Sequence, residues 1–246
     1  MTLREEFEKN GNWLFRWRSY LPLAMLGLLL LALRDYRYPG NSQRLDDLWE
    51  ICCLTISFFG LAIRVYTIGC TPSGTSGRNT RKQIAETLNT SGAYSMVRNP
   101  LYLGNFFMGL GIALFVHLWS LTLIYSLVFW LYYERIIFAE EAFLRKKFGT
   151  SYLEWAAATP AFIPRLGQYR PAALPFSLRN VLKREYNGFF AVIAVMFLLE
   201  MLGDLVVEKR LIFEPGWLLL LGGGAGIWLL LRSLKKYTRL LQVSGR

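Results

Sequence analysis

Long apolar stretches separated by short charged segments are the feature that most constrains the fold of this chain. Six such stretches cover residues 17–33, 48–69, 101–118, 120–139, 186–207 and 217–231. A helix needs about 20 apolar residues to cross roughly 30 Å of hydrocarbon, and several of the six approach that length. Hydrophobic residues make up 54% of the 246 residues and charged residues only 18%, which is too apolar for a soluble domain. The sequence predicts an all-α integral membrane protein with about six transmembrane helices.

The first stretch has an alternative interpretation, because a basic segment followed by an apolar run is also the shape of a secretory signal peptide. Charged residues follow it at Arg34, Asp35 and Arg37, and a small-residue cleavage site is missing. We therefore expect a retained first span.

The distribution of basic residues predicts the orientation. Lys and Arg are concentrated in alternate connecting segments and at both ends of the chain. Because cytoplasmic loops carry an excess of these residues, both termini are expected in the cytoplasm. The net charge of +11 fits basic edges that anchor the protein to anionic headgroups of the bilayer, and nothing indicates a nucleic-acid-binding module. Compact loops favour a bacterial inner membrane, although an endoplasmic reticulum protein would look the same.

Two polar blocks interrupt the apolar pattern. Residues 91–104 read SGAYSMVRNPLYLG, and residues 139–155 read AEEAFLRKKFGTSYLEW. Charges at the edge of a membrane are costly and favour a functional interpretation. Residues 116–120 leave almost no length for a turn between the third and fourth spans, which predicts an antiparallel helical hairpin. The hairpin would gather the polar residues Arg98, Asn99, Tyr102, Arg135, Glu140 and Glu141.

The first block also predicts a binding surface. Pro100 suits the first turn of a helix, so the third span is expected to begin there. The N–H groups around residues 101–103 would then face the cytoplasm and be able to bind a carboxylate or a phosphate. The rings of Tyr94 and Tyr102 are able to face a sulfonium or ammonium group. Glycines 104, 109 and 111 favour close packing against another helix.

Metal and nucleotide sites are not predicted. His117 is the sole histidine, it falls in a short connection, and it shares no ligand spacing with an acid. Cys52, Cys53 and Cys70 do not suggest a disulfide framework. The glycine clusters at residues 109–111 and 222–226 lie inside apolar spans, whereas a dinucleotide fingerprint joins a strand to a helix.

Residues 79–164 resemble the isoprenylcysteine carboxyl methyltransferases and their relatives, which include phospholipid N-methyltransferases and bacterial lipid-phosphate methyltransferases. The resemblance rests on the two blocks, in this order around a hairpin, and on the proline-bounded residues 162–164. It implies methyl transfer from S-adenosylmethionine. It also implies a set of cofactor-binding residues: Glu86, Thr87, Leu88, Asn89, Tyr94, Asn99, Pro100, Leu101, Tyr102 and Glu140.

The acceptor is less constrained. The isoprenylcysteine branch has histidine at the position of Asn99, which argues against a prenylcysteine substrate. A phosphate or carboxylate oxygen is already ionised at neutral pH, whereas an ammonium headgroup with a pKa near ~10 needs a base. Arg98 and Arg135 would neutralise an anionic acceptor, while Glu140 or Glu141 remains a candidate base.

Three hypotheses follow. The first is a methyltransferase acting on an anionic membrane lipid. The second is the same reaction on a prenylcysteine carboxylate or a lipid amine, and the third is a non-catalytic membrane scaffold.

We expect a core at residues 1–164, a basic amphipathic linker at 165–185, and two added spans with a basic tail at 186–246. The added spans are candidates for a lipid entrance or a homodimer contact.

Overall fold

The computed structural model describes residues 2–18, 20–72, 74, 83–243 and 245, so residues 79–82 of the predicted signature region lie outside the described residues. Helices account for most of this part of the chain. They are α1 (Leu3–Trp17), α2 (Leu21–Ala32), α3 (Gln43–Gly69), α4 (Ala93–Met96), α5 (Pro100–Leu114), α6 (Trp119–Phe148), α7 (Thr150–Ala158), α8 (Leu178–Glu208) and α9 (Pro215–Tyr237). The predicted all-α membrane fold is confirmed.

Four of the six predicted spans coincide with helices long and apolar enough to cross a membrane: α3, α6, α8 and α9. The other two form the 12-residue α2 and the 15-residue α5. These helices are shorter than the roughly 20 residues that a full crossing requires. They end early because short turns follow both of them: a 3-10 turn at Leu33–Asp35 after α2 and the hairpin connection after α5.

Helices α3 and α5 pack with their backbones in close contact, as the glycine pattern predicted. A Cβ placed on Gly104 would lie 2.5 Å from Arg64 Cγ and 2.7 Å from the carbonyl oxygen of Gly60. Seven residues further along α5, a Cβ on Gly111 would collide with Ser57. The Ser57 hydroxyl donates to the Met108 carbonyl at 2.8 Å. Small residues therefore determine how near α5 lies to α3 and how Arg64 is placed.

A substitution at this contact tests the packing. Gly104→Ala is expected to lower the free energy of unfolding by about 1–3 kcal/mol, because the added methyl forces the two helices apart. Gly222→Ala in α9 is the matched control, since a Cβ there meets nothing within 4 Å. Thermal unfolding in detergent measures both variants. Equal unfolding temperatures for the two would contradict the close approach.

The predicted hairpin is present, since α5 ends at Leu114 and α6 begins at Trp119. Helix α6 has 30 residues and is about 45 Å long, so its last turns extend beyond a hydrocarbon core of about 30 Å. Helix α1 lies against this end of α6, where the Tyr132 hydroxyl donates to the Leu14 carbonyl at 2.9 Å. The helix α1 was not predicted from the sequence.

Residues 159–177, which include the first part of the predicted linker at 165–185, form backbone hydrogen bonds with the first polar block. The N–H of Arg98 donates to the Pro160 carbonyl, and the N–H of Arg165 donates to the Met96 carbonyl. Further on, Gly92 and Arg170 form an isolated antiparallel bridge. The segment therefore covers residues 91–98 and leads directly into α8, which begins eight residues before the predicted span. Helix α8 packs on α3, so the C-terminal helices are joined to the core.

Candidate functional site

The hairpin brings the two polar blocks together at one end of the bundle. The Tyr102 hydroxyl donates to Glu140 Oε1 at 2.9 Å, and Arg98 Nη1 lies 3.0 Å from Glu141 Oε1. Tyr102 belongs to the first turn of α5, and Glu140 and Glu141 lie about 20 residues after the start of α6. The predicted proximity of these residues is thus present in the fold. We call this the signature end of the bundle.

The start of α5 is held by the segment that follows α7. Pro100 occupies the first turn, as predicted, and the Asn99 side chain donates from Nδ2 to the Ala161 carbonyl at 3.2 Å. The first N–H groups of a helix have no partner within it, and the helix dipole places partial positive charge there. The N-terminus of α5 is therefore held in place, with N–H groups that suit an anion.

Arg98 provides a second positive group next to this helix terminus. Its contact with Glu141 is an ion pair at Nη1, whereas Nε is buried and has no hydrogen-bond acceptor among the described residues. The Arg98 side chain also lines a cavity, so it places a positive charge in the wall of that cavity.

Three charged residues that the sequence analysis did not select also belong to the signature end. Arg64 of α3 binds Glu185 of α8 through Nε and Nη2, at 2.7 and 2.8 Å, and its Nη1 donates to Asn105 Oδ1 at 2.7 Å. Arg18, at the end of α1, lies 3.7 Å from Glu140 Oε1. The position of Arg64, a charged residue inside an apolar stretch, is the sequence feature that could have identified it.

A cavity of about 940 Å³ begins among these groups and continues between the helices. Its polar lining includes Arg18, Arg64, Tyr94, Arg98, Asn99, Tyr102, Asn105, Glu140, Arg184, Glu185 and Asn187. Its apolar lining includes Met25, Leu29, Met108, Ile112, Ala113, Phe129, Ala191, Val192 and Val195. From Tyr102 to Ala113, α5 follows the cavity for about 16 Å. One end is therefore charged and the other is a hydrocarbon-lined channel.

Tyr94 faces the polar part of this cavity from the short helix α4. Its backbone carbonyl accepts a hydrogen bond from Trp155 Nε1 at 3.1 Å, which ties the first block to α7. Burial raises the pKa of the Tyr94 phenol well above its ordinary value. The ring therefore remains neutral at physiological pH and keeps its aromatic face available to a cation.

Not all of the predicted site residues line the cavity. The Arg135 guanidinium stacks on the Phe7 ring at 3.4 Å, between α1 and α6. Glu141 lies behind Arg98, outside the lining. Glu86 and Thr87 are exposed, Leu88 and Asn89 are half-buried, and none of the four lines the cavity, whereas residues 83–85 immediately before them contribute to its wall. The predicted residues that the cavity does bring together are Tyr94, Arg98, Asn99, Pro100, Leu101, Tyr102 and Glu140.

Comparisons with known proteins fit this geometry. Residues 62–151 match the phospholipid methyltransferase family. The cobalt-zinc-cadmium resistance protein CzcN of Cupriavidus metallidurans is 33% identical over 155 residues, which cover 63% of this chain and 64% of that protein. The nickel-cobalt-cadmium resistance protein NccN of Alcaligenes xylosoxydans is 31% identical over 155 residues, covering 63% and 65% of the two chains.

A third relative connects the chain to a named reaction. The protein-S-isoprenylcysteine O-methyltransferase of Schizosaccharomyces pombe is 39% identical over 77 residues, which are 31% of this chain and 33% of that enzyme. The chain thus spans just under two thirds of the length of the two resistance proteins and one third of the enzyme. No solved structure matches it. Residues 62–151, which contain the first polar block, the hairpin, Glu140 and Glu141, are therefore the part of this chain that is similar to the phospholipid methyltransferase family.

Proposed function

We propose that this protein is a membrane methyltransferase that transfers a methyl group from S-adenosylmethionine to an anionic oxygen of a lipid. The observation that carries this proposal is a continuous cavity that joins a charged end to an apolar channel. A lipid whose headgroup reacts at the charged end would place its chain in the channel. The expected setting is the inner membrane of a bacterium, with the signature end in the cytoplasm.

The residues of the signature end fit S-adenosylmethionine. Its carboxylate suits the N-terminus of α5, where a helix provides free N–H groups. The Glu140 carboxylate is an acceptor for its amino group or a ribose hydroxyl, and the faces of Tyr94 and Tyr102 suit its sulfonium. The cofactor supplies a methyl group on a positively charged sulfur. The protein would hold this group in place and exclude water from it.

The positive charge of Arg98 in the cavity wall favours an anionic acceptor. A guanidinium binds a phosphate or carboxylate through two parallel hydrogen bonds, and the Arg98 side chain lines the cavity. An ionised oxygen needs no general base. The single histidine, His117, lies in the connection between α5 and α6 at the other end of the bundle. The chemistry therefore requires mainly that acceptor and methyl group be aligned.

Saturable cofactor binding tests the proposal at its first step. The purified protein in detergent is expected to bind radiolabelled S-adenosylmethionine at one site per chain, with competition by S-adenosylhomocysteine. A protein that binds neither compound at millimolar concentration would contradict the proposal and favour a non-catalytic scaffold.

The chemical stability of the product distinguishes the acceptors. A methyl ester of a carboxylate, such as that of a prenylcysteine, releases labelled methanol in mild base, whereas a methyl phosphate and an N-methyl group do not. Migration of the labelled lipid on an ion-exchange column then separates an acidic phosphate from an amine. We expect a base-stable label on an acidic lipid.

A bulky residue in the channel should weaken binding of the lipid acceptor and leave binding of the cofactor unchanged. Ala191 of α8 lines the channel and is exposed, so Ala191→Trp would fill the space without displacing the core. At limiting lipid, methyl transfer is expected to fall on the order of tenfold, equivalent to about 1.4 kcal/mol of lost acceptor binding. Cofactor affinity should stay the same. Leu219→Trp in α9 is the control, since Leu219 is 77% exposed and outside the cavity lining.

A further inference from the structure

A cluster of buried carboxylates lies at the end of the bundle opposite the signature end. Asp46 and Glu50 are one turn apart on α3, and Glu200 and Asp204 are one turn apart on α8. Residues four apart share a helix face, so each helix presents two acids to the other. The exposed fraction of these residues is between 2% and 6%. We call these four residues the acidic end.

The charges of this cluster lack a matching number of positive charges. Asp46, Glu50 and Glu200 each place one oxygen within 4.8 Å of the others. Within the described part of the chain, the ion pair found for the cluster is that of His117 Nε2 with Asp46 Oδ1, at 2.7 Å. Burying carboxylates without compensating charge is expensive, and acids inside a membrane protein favour a functional interpretation with a named partner.

The hydrogen bonds around the cluster hold the carboxylates but leave oxygens free. Trp217 Nε1 donates to Glu50 Oε2 at 3.0 Å, and the Tyr36 hydroxyl donates to Asp46 Oδ2 at 3.0 Å. In contrast, Glu50 Oε1 and Glu200 Oε2 are buried and accept from no donor among the described residues, and the two carboxyl groups lie close enough to share a proton, which a cation would replace. Carboxylates that bind metals are typically oriented by hydrogen-bond donors around the site, while their other oxygens point to the metal.

We propose that Asp46, Glu50 and Glu200 bind a divalent cation at the acidic end. Carboxylate oxygens suit Mg²⁺, Mn²⁺ and Ca²⁺, and His117 contacts Asp46 as an outer partner. The exposed Asp47 and the half-buried Glu214 form a second group with Glu50, so acids continue from the buried cluster to the surface. The sequence analysis expected no metal site because it compared spacings along the chain, whereas this group comes from two helices about 150 residues apart.

The distance from the signature end indicates a role separate from methyl transfer. Asp46 and Arg64 are 18 residues apart on α3, which corresponds to about 27 Å along the helix. Helices α3, α8 and α9 all contribute to the cation site or to its outer partners, so a bound cation would join their ends. The expected consequence of binding is a higher unfolding temperature.

Manganese binding measured by electron paramagnetic resonance tests the site. Full-length protein in detergent, freed of metals by chelation, is expected to bind about one Mn²⁺ per chain with a rise in unfolding temperature. Glu50→Gln and Glu200→Gln, made separately, each remove a ligand but keep the side-chain shape, and each should weaken Mn²⁺ binding at least tenfold. Glu208→Gln is the control, since Glu208 is an exposed acid on α8 one turn beyond Asp204.

Two results would overturn the proposal. One is the absence of saturable binding of Mn²⁺, Mg²⁺ or Ca²⁺ to the wild-type protein. The other is equal Mn²⁺ affinity in the wild type and in both glutamine variants, which would place the ion elsewhere. A monodisperse gel-filtration profile for each variant shows that the variant is folded, so that a loss of Mn²⁺ binding is due to the missing ligand. The unfolding temperature of the wild type, measured with and without Mn²⁺, tests the site without any variant.

Discussion

Replacing Glu140 by glutamine is expected to weaken S-adenosylmethionine binding by roughly 30-fold or more. The carboxylate lines the polar part of the cavity, accepts from the Tyr102 hydroxyl and lies near Arg18. A hydrogen bond to a charged group contributes about 2 kcal/mol, and an amide in its place presents a donor where the cofactor presents its own. Equilibrium dialysis with labelled cofactor measures the change.

The control for this substitution lies on the same helix. Glu134 of α6 is exposed and is not part of the cavity lining, so Glu134→Gln should bind the cofactor as the wild type does. Unchanged affinity in Glu140→Gln would remove Glu140 from the cofactor site. Equal losses in both variants would indicate a general effect of removing charge from α6.

Replacing Arg98 by glutamine is expected to lower methyl transfer about 100-fold, which corresponds to about 3 kcal/mol. The reason is that Arg98 provides a guanidinium in the cavity wall, and an anionic acceptor would lose its charge and its hydrogen-bond donors. Arg98→Lys should recover only part of the rate, because an ammonium cannot reproduce the paired donors of a guanidinium. Initial rates at saturating cofactor measure the effect.

The substitution of Arg98 also leaves Glu141 without its ion-pair partner. The double variant Arg98→Gln, Glu141→Gln removes that unpaired acid and serves as the test for folding. It should regain the unfolding temperature of the wild type and remain as inactive as the single variant. Recovery of activity in the double variant would show that Arg98 acts through Glu141 and does not contact the acceptor. Arg179→Gln, at an exposed arginine of α8, is the control for charge.

The parts of this fold that follow from local chemistry could be predicted. Pro100 determines where α5 begins, and the few residues between the third and fourth apolar stretches permit only a hairpin. Together they bring Tyr102 to Glu140 and Arg98 to Glu141. Glycines 104 and 111 of α5 predicted a close helix contact, which is the one with α3, whereas Gly109 faces Tyr125 of α6.

The parts that depend on contacts between distant segments could not. Nothing in the local sequence indicates that Arg64 meets Glu185, that Arg18 reaches Glu140, or that residues 165–177 return to cover the first polar block. The acids of the acidic end are inconspicuous in the sequence, because each lies near the end of an apolar stretch. Their significance appears only when α3 and α8 face each other.

Methyl transfer into lipid is the measurement that tests the central claim most directly. Detergent-purified protein is incubated with S-adenosylmethionine labelled in the methyl group and with a total bacterial lipid extract, and the label is followed into the lipid phase. We predict label in an acidic lipid, lost with Arg98→Gln and Glu140→Gln and kept with Arg179→Gln. Saturating cofactor with no label in any lipid, or label only in a lipid amine, would contradict the account.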